Sequence, residues 1–262
     1  MSKSRLTHKI SRAALILVLA LFSATTAWAS VITLDENTGE VTLQNGDVLT
    51  GTGGWNTLVK IADGATVTLS GVNITAYYNN QGHQWVGITC LGDAVIVLAE
   101  GTTNDVKGGR YNPGIYVPSN KALIIQGSGT LNATGGDSGA GIGSGSSGSC
   151  GNITISGGTV TANGGKFAAG IGSSDSGSCG TVTISGGSVT ASGGQSAAGI
   201  GSGFSYSSCG TITISGGQIG GEIGSWNFDG AVAGEKAAGI GGGQNGSCGT
   251  ITIGAGDRKS VV

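Results

Sequence analysis

The sequence predicts an all-β chain wound as a parallel β-helix solenoid of about eight coils, with three short strands per coil. Three observations predict it. First, residues 140–165 read AGIGSGSSGSCGNITISGGTVTANGG. They recur as AGIGSSDSGSCGTVTISGGSVTASGG at 169–194, AGIGSGFSYSSCGTITISGGQIGG at 198–221 and AGIGGGQNGSCGTITIGAG at 238–256. Second, Ile142, Ile171 and Ile200 sit 29 residues apart and Ile240 follows after 40, a period that marks a solenoid or a propeller. Third, Ile153-Thr154-Ile155 and Thr159-Val160-Thr161 alternate apolar and polar residues between Gly-Gly and Ser-Gly turns, the pattern of short half-buried strands. A propeller blade needs a fourth strand and a longer repeat, so stacked coils remain.

In chain order, residues 1–29 read as a secretory signal. Lys3, Arg5, Lys9 and Arg12 make a basic start, 13–22 is apolar, and Ala27-Trp28-Ala29 is an A-x-A cleavage site. The apolar run is too short to span a membrane comfortably, and no later run approaches that length, so no transmembrane segment is expected once the signal is removed. The alternative is an uncleaved anchor. Removal leaves eight basic residues against fourteen acidic ones and no basic stripe, which argues against nucleic acid as a partner. Gly accounts for 55 of 262 residues without a G-X-Y period, which excludes collagen. Regularly placed Ile, Val and Thr argue against a disordered linker.

Residues 30–256 form the repeat domain, strong over 140–256 and weaker upstream. Residues 31–50 give a first, capping coil. Leu58–Ile61 with 66–70 and 72–75 gives the next. Gly87-Ile88-Thr89 with 95–98, then Gly114-Ile115-Tyr116 with 123–126 and 129–136, continue the series. Ile88, Ile115 and Ile142 keep a 27-residue rhythm. Residues 257–262 (DRKSVV) break it. The adapter codons GAT-CGG-AAG-AGC-GTC-GTG-TAG translate to the same six residues and a stop, so this tail reads as a sequencing artefact. A charged end cap is the alternative.

Corner lengths carry the functional information. The corner before each Gly-Ile-Gly reads as tight in the middle coils and expanded at 77–85 (YYNNQGHQW), 107–113 (KGGRYNP) and 221–234. Insertions on one edge of a repeat array often mark its binding face. The first two loops belong to neighbouring coils. They would bring together Tyr77, Tyr78, Asn79, Asn80, His83 and Trp85 with Arg110 and Tyr111. Aromatic planes stack on sugar CH faces, and Asn, Arg and His hydrogen-bond hydroxyls. The same residues could instead pack on one another to close the N-terminal end. Trp226 and Phe228, with Phe204 and Tyr206, form a secondary candidate cluster.

Cys150, Cys179, Cys209 and Cys248 occupy one position in successive units and should stack as a ladder, with Cys90 outside it. Their spacing does not suit zinc. Oxidation of pairs such as Cys150–Cys179 is open to an exported chain, but the demanding S–S geometry favours buried thiols packing a corner. Thr181/Thr183, Thr211/Thr213 and Thr250/Thr252 make an outward Thr-x-Thr array, as solvated strands ordinarily do, and resemble the ice-binding face of β-helical antifreeze proteins. The carboxylates are scattered, and Arg110 with Asp105 is the one pairing suggestive of lyase chemistry. No catalytic residue is assigned.

The GIGSGSSGSCGNITISGGTVTANGG units resemble those of secreted bacterial right-handed parallel β-helix proteins of the pectin-lyase-like superfold. They are most similar to carbohydrate-binding β-helix repeats of surface proteins. The resemblance covers 140–256 well and 31–136 loosely. It implies a secreted, cell-surface module that binds polysaccharide or a host glycan, or mediates adhesion. Calcium is implied by that resemblance alone, and no other cofactor or metal is expected. A structural stalk with no ligand is the alternative, with lyase-like catalysis or ice binding as remoter readings.

Overall fold

The computed structural model describes residues 29–76, 85–220 and 237–254. The chain is an all-β parallel solenoid. Residues of the Gly-Ile-Gly segments, too short to hold as isolated strands, stack into an eight-stranded sheet. It runs from Glu40–Leu43 and Leu58–Ile61 through Ile88–Cys90, Ile115–Tyr116, Ile142–Gly143, Ile171–Gly172 and Ile200–Gly201 to Ile240–Gly241. The Ile-Thr-Ile strands form a second face (Ala94–Leu98, Ala122–Gly127, Asn152–Ile155, Val182–Ile184, Ile212–Ile214, Ile251–Ile253). The Thr-Val-Thr strands form a third, from Thr103–Lys107 to Gln218–Gly220. All strand pairs are parallel, as a chain that returns one coil higher on every turn requires.

Period-2 alternation drives the winding. Ile142, Ile153, Ile155 and Val160 are fully buried and stack on Ile171, Val182, Ile184 and Val189, with Thr154 over Thr183 on the outer surface. Apolar side chains therefore form columns along the axis, and each coil covers the interior of the one before it. The second Gly of each Gly-Ile-Gly fixes how closely coils approach. Gly172 has φ of 133°, and a Cβ there would overlap the carbonyl oxygen of Gly201, so only Gly fits.

The structure corrects three expectations about this frame. About five turns repeat the cross-section, fewer than the eight expected. Between Ile88 and Ile240 the isoleucine returns to register five times. Upstream, Glu40 lies against Leu58 and Val31 against Val48, separations too short for a complete coil. Next, 66–70 and 72–75 are one strand, Ala65–Thr75, whose first half pairs with Ala94–Leu98 and whose end pairs with Thr103–Lys107. It joins the second and third faces into one 14-stranded sheet at the N-terminal end. Finally, the later coils carry four short strands rather than three, because Ser149–Cys150, Ser178–Cys179, Ser208–Cys209 and Ser247–Cys248 pair as a sheet of their own.

Small polar side chains tie coil to coil. Ser144 Oγ accepts the amide of Ser174 at 3.0 Å, Ser173 Oγ that of Gly203 at 3.3 Å, and Ser202 Oγ that of Gly243 at 3.1 Å. At the corner leading to the second face, Asp63 Oδ1 accepts the Asp93 amide at 2.7 Å, Asp93 Oδ1 the Ala122 amide at 2.8 Å, and Asn152 Oδ1 the Thr181 amide at 2.8 Å. Asn152, which breaks the Thr-x-Thr array, is thus a corner cap for the next coil.

Candidate functional site

The corner at 108–113 is held by backbone bonds from both sides. Gly109 N donates to Trp85 O at 2.8 Å, and Asn112 N to Gly109 O at 2.8 Å. Above it, Gly136 N donates to Asn112 O at 2.9 Å, Ser138 N to Arg110 O at 3.1 Å and Ser146 N to Tyr111 O at 2.9 Å. A loop pinned at so many points presents its side chains without ordering cost. Arg110 lies over the Tyr111 ring, 5.0 Å from its centroid, and its Nε is 3.6 Å from Asp137 Oδ2. Of the pair suggestive of lyase chemistry, Arg110 meets Asp137, and Asp105 Oδ1 accepts Asn132 Nδ2 at 2.8 Å on the neighbouring strand.

Residues 107–113 are not an insertion. GGRYNPGI has the same length as GGKFAAGI of the supposedly tight corner, and Gly108 N and Gly164 N make equivalent bonds to Thr134 O and Ser192 O, both at 2.8 Å. The shorter 27-residue period arises on the other side of the Gly-Ile-Gly strand. Tyr116 aligns with Gly143, and Ala122 with Asn152, so this coil spends three residues fewer on its next corner and has no Ser-Cys strand there. Pro118 instead bridges Cys150.

That shortened corner, beneath the longer 145–148 turn of the following coil, opens a cavity of about 500 Å³. Its walls are Val86, Tyr111, Asn112, Pro113 and Tyr116, roofed by Gly145, Ser146 and Gly148. Its size falls in the range of small-ligand sites, about 300–1,000 Å³. Two tyrosines, a proline and a valine offer apolar planes, while the phenolic hydroxyls, the Asn112 amide and the Ser146 hydroxyl offer hydrogen bonds.

Of the residues expected to form a site, Tyr111 lines this cavity. Arg110 lies beside the Tyr111 ring and Trp85 holds the corner through its backbone carbonyl, and neither is among the cavity walls. Tyr77, Tyr78, Asn79, Asn80 and His83 lie outside the described residues, as do Trp226 and Phe228. Sequence reasoning missed Val86, Asn112, Pro113 and Tyr116. The signal for Tyr116 was legible: it stands where the strong repeats place the second Gly of Gly-Ile-Gly. Phe204 packs on Phe167, with centroids 5.4 Å apart, and Tyr206 stands 89% exposed.

The cysteine ladder is in register, Cys150 on Cys179 on Cys209 on Cys248. The expectation of free thiols throughout fails at the first pair, because Cys150 and Cys179 are joined by a disulfide, their Cα atoms 4.5 Å apart. Parallel stacking brings equivalent Cα atoms to within the span an S–S bond needs. Cys90, Cys209 and Cys248 are free thiols. Burial pushes Cys90 up to about 12 and, with neighbouring Cys248 adding to it, Cys209 up to about 12, so neither is a nucleophile near neutral pH.

Among the described residues no helix is long and apolar enough to cross a membrane. No curated protein and no solved structure matches this sequence. The family model of a beta helix repeat matches residues 123–146, 153–175 and 182–204. Each match starts on the strand of the second face and ends in the turn after the following Gly-Ile-Gly. The chain therefore contains a beta-helix repeat domain.

Proposed function

We propose that this chain is an exported surface module that binds polysaccharide in the groove between Tyr111 and Tyr116. The observation that carries the reading is the 500 Å³ cavity walled by those two residues on a backbone fixed to the coils on either side. Sugar rings suit such a site: their CH faces stack on apolar planes, and their hydroxyls meet a few fixed polar groups. A formal net charge of −2 offers little attraction for nucleic acid. The basic and apolar start with its A-x-A site supports export, and the Cys150–Cys179 disulfide suits an oxidising compartment. The resemblance of the repeats to surface β-helix modules points the same way.

The test is retention of the full chain on insoluble polysaccharides, with Tyr111→Ala and Tyr116→Ala beside it. Each substitution should remove on the order of 1–3 kcal/mol of binding, as expected of an aromatic anchor, while circular dichroism stays that of the folded solenoid. Retention that is unaffected by either change places the site elsewhere. No retention on any polysaccharide favours the stalk.

A further inference from the structure

The corner before the Gly-Ile-Gly strand keeps one length in four successive coils: GGRYNPGI at 108–115, GGDSGAGI at 135–142, GGKFAAGI at 164–171 and GGQSAAGI at 193–200. The backbones stack closely. A Cβ on Gly136, Gly165 or Gly194 would strike the carbonyl of Gly109, Gly136 or Gly165 in turn. The third position of this corner reads Arg110, Asp137, Lys166, Gln195, and the fourth reads Tyr111, Ser138, Phe167, Ser196. An aromatic ring thus recurs on every second coil, each time beside its own cation. Arg110 lies 5.0 Å from the Tyr111 centroid, and Lys166 5.0 Å from that of Phe167. The supporting bonds recur as well: Ser146 N donates to Tyr111 O at 2.9 Å and Phe204 N to Phe167 O at 3.0 Å. Both rings are half-buried, and Phe204 widens the second platform, tilted 35° to Phe167.

Resting on the glycan-binding reading above, we propose that this edge is a stacking platform for a linear polysaccharide of equatorially 1,4-linked sugars. The polymer lies along the solenoid axis, with alternate sugars on Tyr111 and Phe167. The step between coils selects this class. Coils stack at about 4.8 Å, so equivalent positions two coils apart are separated by roughly 9.6 Å. An extended equatorially 1,4-linked hexose chain advances by nearly one coil step per sugar, and its two-fold screw returns the same ring face on every second sugar. An α-1,4 chain curls and a 1,3-linked chain winds, so neither keeps both rings in phase. Asp137, exposed on the coil between, faces the hydroxyls of the intervening sugar.

Titration calorimetry of the full chain with soluble oligosaccharides tests the proposal. For β-1,4-linked glucose or N-acetylglucosamine oligomers, affinity should rise about tenfold or more from the disaccharide to the trisaccharide, because the second ring engages only then. Tyr111→Ala and Phe167→Leu should each weaken hexasaccharide binding about tenfold, the loss of one stacking anchor. Leu keeps apolar volume against Phe204, and an unchanged circular dichroism spectrum confirms folding. Ser196→Ala, on the same column, should change nothing. Affinity independent of length, equal affinity for α-1,4 or β-1,3 oligomers, or full affinity in Phe167→Leu overturns the axial platform. If Tyr116→Ala still weakens binding in that case, the groove stands alone. Absence of binding to every oligomer and every insoluble polysaccharide overturns both.

Discussion

Asn104 Oδ1 accepts the backbone amide of Val72 at 3.0 Å, and Asn104 Nδ2 donates to the carbonyl of Thr130 at 3.0 Å. A fully buried polar side chain therefore bridges three successive coils, in a column that Leu131, Val160 and Val189 otherwise fill. It sits where Ala65–Thr75 passes from one face to the next, and it supplies the Val72 amide with a bond that strand pairing does not.

Asn104→Leu should be destabilising although it completes an apolar column. The Val72 amide would be left without its partner, and a buried orphan costs about 1–3 kcal/mol. The urea midpoint should fall clearly below that of the parent chain. An unchanged midpoint would mean that water reaches the Val72 amide.

Gly172→Ala and Gly101→Ala separate two costs of replacing glycine. Both positions have positive φ, 133° and 70°, but a Cβ on Gly101 meets open space whereas one on Gly172 overlaps the Gly201 carbonyl. Backbone strain alone costs about 1–3 kcal/mol. Gly172→Ala must add the cost of prising two coils apart, so its thermal midpoint should drop further. Equal drops would show that the coils part easily.

Acid should weaken the corner at Asp63. The Asp93 amide first, and Lys121 next, hold the Asp63 carboxyl below its ordinary value of 3.8. A depressed folded-state value contributes stability above the unfolded value and loses it as pH falls through the folded one. Asp63→Asn should therefore be less stable than the parent near about pH 7 and indistinguishable from it near about pH 2. A gap that persists in acid would assign the difference to something other than charge.

Native thiol chemistry should be slow. Cys90 and Cys209 are buried and pushed up to about 12, whereas Cys150 and Cys179 are already bonded. Iodoacetamide at mildly alkaline pH should label Cys248 first, leave Cys90 and Cys209 untouched while folded, and label all three in urea. Rapid native labelling of Cys90 would contradict its burial.

The strong repeats were legible because Ile153, Ile155 and Val160 alternate with threonines at a fixed period, and burial follows alternation wherever one face of a strand is dry. Alternation could not show that 65–75 is one strand, since two short strands and a single strand turning a corner share the same pattern. The coil count failed for a related reason: Glu40 and Leu58 look like equivalent strand starts, and only pairing reveals how little chain lies between them. At the site, the aromatic residues Trp85 and Tyr111 stand out by rarity. Their setting is not legible from loop sequence, because 107–113 resembles an insertion although its corner has the common length and the chain is shorter beyond Tyr116. Oxidation of Cys150 and Cys179 depends on sulfur geometry, which spacing alone does not encode.

Ile142, Ile171 and Ile200 stand 29 residues apart and occupy equivalent positions in register. Excising residues 171–199 would set Ile142 on Ile200, Gly143 on Gly201 and Ile153 on Ile212, like meeting like at each contact. Cys150 would meet Cys209 where it now meets Cys179. Length in this molecule is thus a quantity counted in whole periods, which gene duplication can add or recombination remove without composing a new interior. Whatever lies beyond the last coil can be moved outward or inward in steps of one coil.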